Sequence, residues 1–245
     1  MKKALALAAA AGLAVFATPV LAQSVNITNV AFTPGAITGT IKSTPFNGDA
    51  HIGQFQFTGS IVGSGATFEA LTYCIDLTKF VSLGNVNYND YTIVPISAVG
   101  TMSPVKAGAL NALLTNSLSL LANASGQTAI NISAARQMAV WEILYETGAN
   151  WSVTDAGSAF SIGGSGAPLT AAQSLANIYL SNVASSSWQA SGNYQLRVLN
   201  SPTRQSQVFL AAVPEPATWA MMIMGFGAIG ATLRRRRVAG APALA

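Results

Sequence analysis

Apolar residues along this chain follow two rhythms. Before Ser103 they alternate with polar residues in short runs cut by Gly and Pro, the period-two pattern of half-buried strands. Ser24–Ile41 reads as short strands broken at Pro34-Gly35 and Gly39. Gln54–Val62 alternates with Phe55, Phe57 and Ile61 on one parity, and Gly63-Ser64-Gly65 turns the chain. Thr67–Leu77 is the next predicted strand, with Leu71, Tyr73, Ile75 and Leu77 on its main apolar face and Cys74 on the other. Asn85–Asp90 reads as a polar loop and Tyr91–Ile96 as a strand.

From Ser103 the rhythm becomes helical. Ser103-Pro104 is a good helix start, because proline suits the first helical position. Leu110, Leu113, Leu114, Leu118 and Leu121 then recur at helical spacing over Val105–Leu121. Asn123–Gln127 breaks the pattern, and a second helix starts at Ile132-Ser133 and stops at Gly148. Asp155–Gly166 reads as a Gly/Ser loop, and Pro168–Val183 is a third helix with Ala172, Leu175, Ala176 and Tyr179 on one stripe. Tyr194–Leu199 and Gln207–Val213 return to strand. The fold class expected over 23–212 is α+β: an antiparallel β-sandwich or barrel (24–100 and 192–212) with a helical insert (103–184).

Both ends of the chain read as addresses. Lys2-Lys3 followed by apolar Ala4–Phe16 and the small-residue pattern Val20-Leu21-Ala22 predict a signal peptide over 1–22, with Sec export and cleavage by signal peptidase. At the other end, Pro214-Glu215-Pro216 resists both helix and strand. Ala217–Leu233 then runs without a charge. As a helix it would be ~25 Å long against a ~30 Å hydrocarbon core, so 217–233 is the expected transmembrane helix. Arg234, Arg235, Arg236 and Arg237 close it, which keeps the tail 238–245 in the cytoplasm and everything upstream outside.

These ends also account for the charge. The chain of 245 residues has 12 basic and 8 acidic side chains, net +4. Lys2, Lys3 and the four terminal arginines supply six of the basic residues and Glu215 one of the acidic ones, so 23–213 holds six and seven, net −1. Nucleic-acid binding therefore has no electrostatic support. Roughly 190 residues remain, enough for one sizeable core or two small ones.

The order Pro214-Glu215-Pro216, Thr218-Trp219-Ala220-Met221-Met222-Ile223, Gly225-Phe226-Gly227, Gly230 and Arg234–Arg237 resembles the PEP-CTERM sorting signal of Gram-negative bacteria over 213–237. The resemblance implies a temporary anchor in the inner membrane, cut near Pro-Glu-Pro by exosortase, a membrane protease-transpeptidase. It also implies a periplasmic main domain bound for the cell surface or an exopolysaccharide or biofilm matrix. Gly225, Gly227 and Gly230 spell a dinucleotide fingerprint, but without the strand and downstream acid that motif needs; close helix approach is the better reading.

The chain has one cysteine, Cys74, and so no internal disulfide. Gln137 falls on the apolar stripe of the second helix with Trp141 and Leu144, where a buried amide must find partners. Tyr73-Cys74-Ile75-Asp76 and Arg136-Gln137-Met138-Ala139-Val140-Trp141 together resemble the Cys–Gln thioester domains of bacterial surface adhesins, over roughly residues 50–210. Those domains commonly carry Thr where this chain has Arg136. The resemblance implies a Cys74–Gln137 thioester that captures a partner amine. An inert buried pair is the alternative.

Other candidate chemistry is thinner. His51, the chain's one histidine, lies on an apparent polar loop and would have to serve any cysteine hydrolase at Cys74. Asp76, Asp90 and Asp155 are scattered and give no metal-ligand spacing. Glu142 and Glu146 read as a solvated helix face. The expectation is a non-enzymatic exported surface or matrix protein with no cofactor or metal. It either attaches to an amine-bearing surface through the thioester or binds exopolysaccharide matrix without covalent chemistry.

Overall fold

The computed structural model describes residues 22–100, 102–148, 150–213 and 221–229. Six strands close an antiparallel barrel in the order β1-β4-β5-β9-β8-β6. They are β1 (Gln23–Phe32), β4 (Phe55–Ile61), β5 (Thr67–Cys74), β6 (Gly84–Pro95), β8 (Tyr194–Asn200) and β9 (Gln207–Ala212). Closure leaves the barrel without an edge strand, which a sandwich would have. A second sheet of three strands, β3-β2-β7, lies apart from it. Its members are β2 (Ile37–Ser43), β3 (Asn47–Ile52) and β7 (Phe160–Gly163).

The helices sit between β6 and β8, as the α+β reading expects, with β7 laid among them. α1 (Pro104–Asn116) starts as foreseen: the Ser103 hydroxyl accepts the Lys106 N–H at 3.2 Å, and Pro104 takes the first helical position. The predicted helix over Val105–Leu121 is in fact two, because the chain breaks at Ser117 before α2 (Leu118–Ala122). α3 (Gly126–Tyr145) begins a turn and a half earlier than Ile132, and α4 (Ala167–Ala184) closes the insert.

α3 is the axis of the molecule. It touches α1, α2, α4, β2, β3, β5 and β7. Every residue from Ile132 to Ile143 is buried, whatever its position around the helix. The amphipathic stripe drawn from its sequence is therefore too narrow: a helix enclosed on all sides has no wet face. Trp141 and Tyr145 pack on Phe160 of β7, with ring centroids 6.4 and 6.3 Å apart.

Four further expectations need correction. Asn85–Asp90 is not a loop but part of β6, paired along its length with β1. Part of the expected loop Asp155–Gly166 is β7, held to β2. His51 is in a strand, opposite Thr38. In β5 the buried parity is Phe68, Ala70, Thr72 and Cys74, joined by Tyr73, while Leu71 is 46% exposed. Leu71 looked like core because sequence parity cannot show which face a barrel turns inward.

Residues 1–21 of the expected signal peptide, Pro214-Glu215-Pro216 and Arg234–Arg237 lie outside the described residues. Of the expected span 217–233, residues 221–229 are helical, with Met221, Ile223, Met224 and Phe226 each more than half exposed. Among the described residues no helix is long and apolar enough to cross a membrane.

Candidate functional site

β5 outlives its neighbour. Its pairing with β4 ends at Phe55 opposite Thr72, whereas on the other side β9 continues to Gln207 opposite Cys74. Successive residues of a strand direct their backbone groups to opposite sides. Ile75 donates its N–H to Ser206 on the β9 side, at 3.0 Å. The N–H and C=O of Cys74 therefore face the side where β4 has run out.

Gln137 fills that gap. The Cys74 N–H donates to Gln137 Oε1 at 2.8 Å, and Gln137 Nε2 donates to the Cys74 carbonyl at 3.0 Å. Both residues are fully buried. The side-chain amide thus does the work of a missing strand residue, and the two positions singled out in the sequence meet, 63 residues apart.

The contact is one rung of a ladder. Ser133, Gln137, Trp141 and Tyr145 lie four residues apart and so share a face of α3. Ser133 Oγ accepts the backbone N–H of Gln54 at 2.7 Å. The Tyr145 hydroxyl accepts from Leu77 N–H at 2.9 Å and donates to the Ile75 carbonyl at 3.1 Å. Trp141 is buried between these rungs and lowers the Cys74 pKa slightly, but its indole Nε1 has no hydrogen-bond partner. The sequence reading noticed Gln137 and Trp141 and missed Ser133 and Tyr145. The signal was there: four residues with polar atoms at one helical interval.

Burial pushes the Cys74 thiol up to about 12, against weaker help from the Asp76 backbone and Trp141. Sγ donates to the Asp76 carbonyl at 3.3 Å. At neutral pH the sulfur is a thiol. Asp76 itself turns back on its own loop, where Thr78 and Lys79 bind it. Burial alone would raise its carboxyl, but those partners hold it below the usual range.

The remaining candidates are elsewhere. His51 contacts Thr38 through Nδ1 at 3.4 Å and packs edge-on against Phe32. Asp90 binds Ser201, Thr203 and Arg204. Among the described residues no three His, Cys, Asp or Glu side chains gather as a metal site would require.

Glu142 and Glu146 are not on a solvated face. Both are buried, because the chain after α3 folds back over them. Glu142 Oε1 accepts Ser152 N–H at 2.7 Å, and Oε2 has no partner. Glu146 accepts from the N–H groups of Thr147, Gly148 and Phe160, so it pins the loop rather than handling protons.

Beside the Cys74–Gln137 contact, Arg136 is also buried. Its Nη2 donates to the Leu114 carbonyl at 2.9 Å and its guanidinium lies 4.9 Å from the centre of the Tyr73 ring. Arg136 stands where the thioester domains commonly carry Thr, and it takes no part in holding Gln137.

With this geometry established, comparison with known proteins adds two findings. Residues 212–237 match the PEP-CTERM protein-sorting motif. The match marks the chain as an exported protein processed by exosortase and sorted, by way of the membrane, toward the cell surface. Among solved structures, the N-terminal domain of the Streptococcus pyogenes pilus tip adhesin Cpa is a distant likeness. It is 15% identical with a TM-score of 0.43, over 67% of this chain and 84% of that one. No curated protein matches the chain.

Proposed function

We propose that this protein is a non-enzymatic surface or matrix protein that attaches itself covalently to a partner amine through a Cys74–Gln137 thioester. The observation that carries the reading is the Cys74 N–H at 2.8 Å from Gln137 Oε1, with both residues sealed from water. A donor fixed on that oxygen sits where negative charge builds when the amide carbon is attacked.

The steps balance. The Cys74 sulfur bonds to Cδ of Gln137, the C–N bond breaks, and the thiol proton leaves with the nitrogen as ammonia. A primary amine from the partner later attacks the same carbon. It forms an amide to residue 137, and the sulfur departs and recovers a proton as the Cys74 thiol. Each site reacts once, so there is no turnover. Burial protects the thioester from hydrolysis until the partner arrives. Sorting by exosortase delivers the domain to the surface or exopolysaccharide matrix where such amines are met.

Intact mass is the test. The wild-type chain is expected to weigh one ammonia less than its sequence, and Cys74→Ala and Gln137→Ala are each expected to show their full mass. Methylamine should add to the wild type as an amide on residue 137, leaving it one CH2 heavier than its sequence, and free Cys74 for alkylation after denaturation. A wild type of full mass, with Cys74 already alkylatable, removes the covalent reading. What would stand is a non-covalent matrix-binding module. The two hydrogen bonds that consume both ends of the Gln137 amide favour that second reading, since a strand surrogate needs no reactivity.

A further inference from the structure

A cavity of about 650 Å³ opens between α1–α2 and the outer wall of β5, β8 and β9. Its size is within the roughly 300–1,000 Å³ common to small-molecule pockets. Leu114, Leu118, Leu121, Phe209 and Leu210 make its walls apolar, while Arg136, Tyr73 and Gln54 line it as well. It does not include Cys74 or Gln137.

Arg136 is the anomaly in this cavity. It is 1% exposed, yet Nε and Nη1 have no acceptor. Among the described residues it forms no ion pair. The carboxylate on the cavity wall, Glu69, is exposed and accepts from Gln56 Nε2 at 2.6 Å. The Tyr73 hydroxyl accepts from Gln54 at 2.8 Å and so remains free to donate. A buried guanidinium without a counter-charge is costly, and a carboxylate would supply both that charge and an acceptor for its unpaired N–H groups.

We propose that this cavity binds an aliphatic monocarboxylate, its carboxylate paired with the Arg136 guanidinium and its hydrocarbon body along the leucines of α1 and α2. The site is separate from the Cys74–Gln137 pair, so it stands or falls independently of the thioester. A sugar acid would meet leucines where it needs hydrogen-bond partners, and an alcohol of equal length would leave the guanidinium unpaired.

Carboxyl-labelled octanoate titrated into the full-length protein and followed by NMR is the test, with octanol and glucuronate as comparators. Saturable octanoate binding is expected, with octanol and glucuronate each weaker by about tenfold or more. Arg136→Met is expected to weaken octanoate by about tenfold. Because that variant can also disturb the core, Leu118→Trp and Leu210→Trp fill the wall from half-buried positions and leave Arg136 in place. Each should weaken octanoate at unchanged thermal stability. The proposal is overturned if the wild type does not bind octanoate saturably. Equal affinity for octanol or glucuronate, or folded Trp variants that bind as tightly as wild type, would overturn it too.

Discussion

Glu142 is a carboxylic acid enclosed by protein. Burial raises its pKa from 4.5 to about 7; the Ser152 N–H works against this, and Glu146 and Asp155 add to it. In the unfolded chain Glu142 ionises at the ordinary carboxylate value. A folded pKa above the unfolded one means stability fully present below about 4.5 and lost as pH rises through about 7. The loss is bounded at about 3 kcal/mol. Glu142→Gln keeps an acceptor for Ser152 and removes the ionisation. The variant should gain stability over wild type at about pH 8 and lose that advantage near pH 4.5. Urea unfolding of both proteins across this range measures it, and a difference constant with pH would refute the assignment. Asp76, Asp90 and Glu146 act in the opposite sense, since each is held below its usual range and withdraws stability on acidification. Asp76 and Asp90 are common to both proteins and cancel in the comparison, while the repulsion from Glu146 is part of what Glu142→Gln removes.

At the scale of elements, the barrel depends on one close approach. β1 is bulged between Ile27 and Asn29, and there it faces Gly59 of β4. A Cβ on Gly59 would lie 1.9 Å from the Asn26 carbonyl oxygen. No side-chain movement relieves a clash with backbone, so Gly59→Ala is expected to destabilise by about 2–4 kcal/mol. Gly63→Ala is a control for added bulk alone: nothing lies within 4 Å of its Cβ position, though its φ of +91° carries a smaller conformational cost. Thermal unfolding should separate the pair; an equal shift in Tm would show that the bulge can yield.

The second element-scale prediction concerns the ladder on α3. Tyr145→Phe keeps the ring on Phe160 and deletes the hydroxyl that serves both Ile75 and Leu77. A cost of about 1–3 kcal/mol is expected, from the groups left without partners. Faster amide exchange at Leu77 should accompany it; unchanged exchange there would mean the hydroxyl does not restrain the loop after β5.

Across the whole molecule, sorting and folding are separable. The matched motif at 212–237 begins where β9 ends at Ala212, so the signal is appended to a finished barrel. Replacing Pro214, Glu215 and Pro216 by alanine should leave the unfolding transition of the domain unchanged. In an exosortase-bearing host it should also leave the C-terminal segment attached and the protein in the membrane fraction. Fractionation and intact mass read the two effects together. Normal trimming in the variant would show that Pro-Glu-Pro is not what the protease needs.

The sequence by itself determined the features that are local: the C-terminal sorting motif, the alternation that makes strands, the Ser103-Pro104 start of α1 and the strand–helix–strand order of an α+β domain. Each is written in neighbouring residues, through charge order, period and capping chemistry. It also singled out Cys74 and Gln137, by residue type and by resemblance. Tertiary structure alone decided that β4 stops short beside Cys74, so that an amide from α3 completes the strand. It alone enclosed α3 on every side, turning Glu142 and Glu146 from an expected solvated face into buried residues and burying Arg136 with them. The physical reason is that period and propensity record which face of an element is apolar, whereas burial depends on how many neighbours surround it, and those are set by contacts distant in sequence.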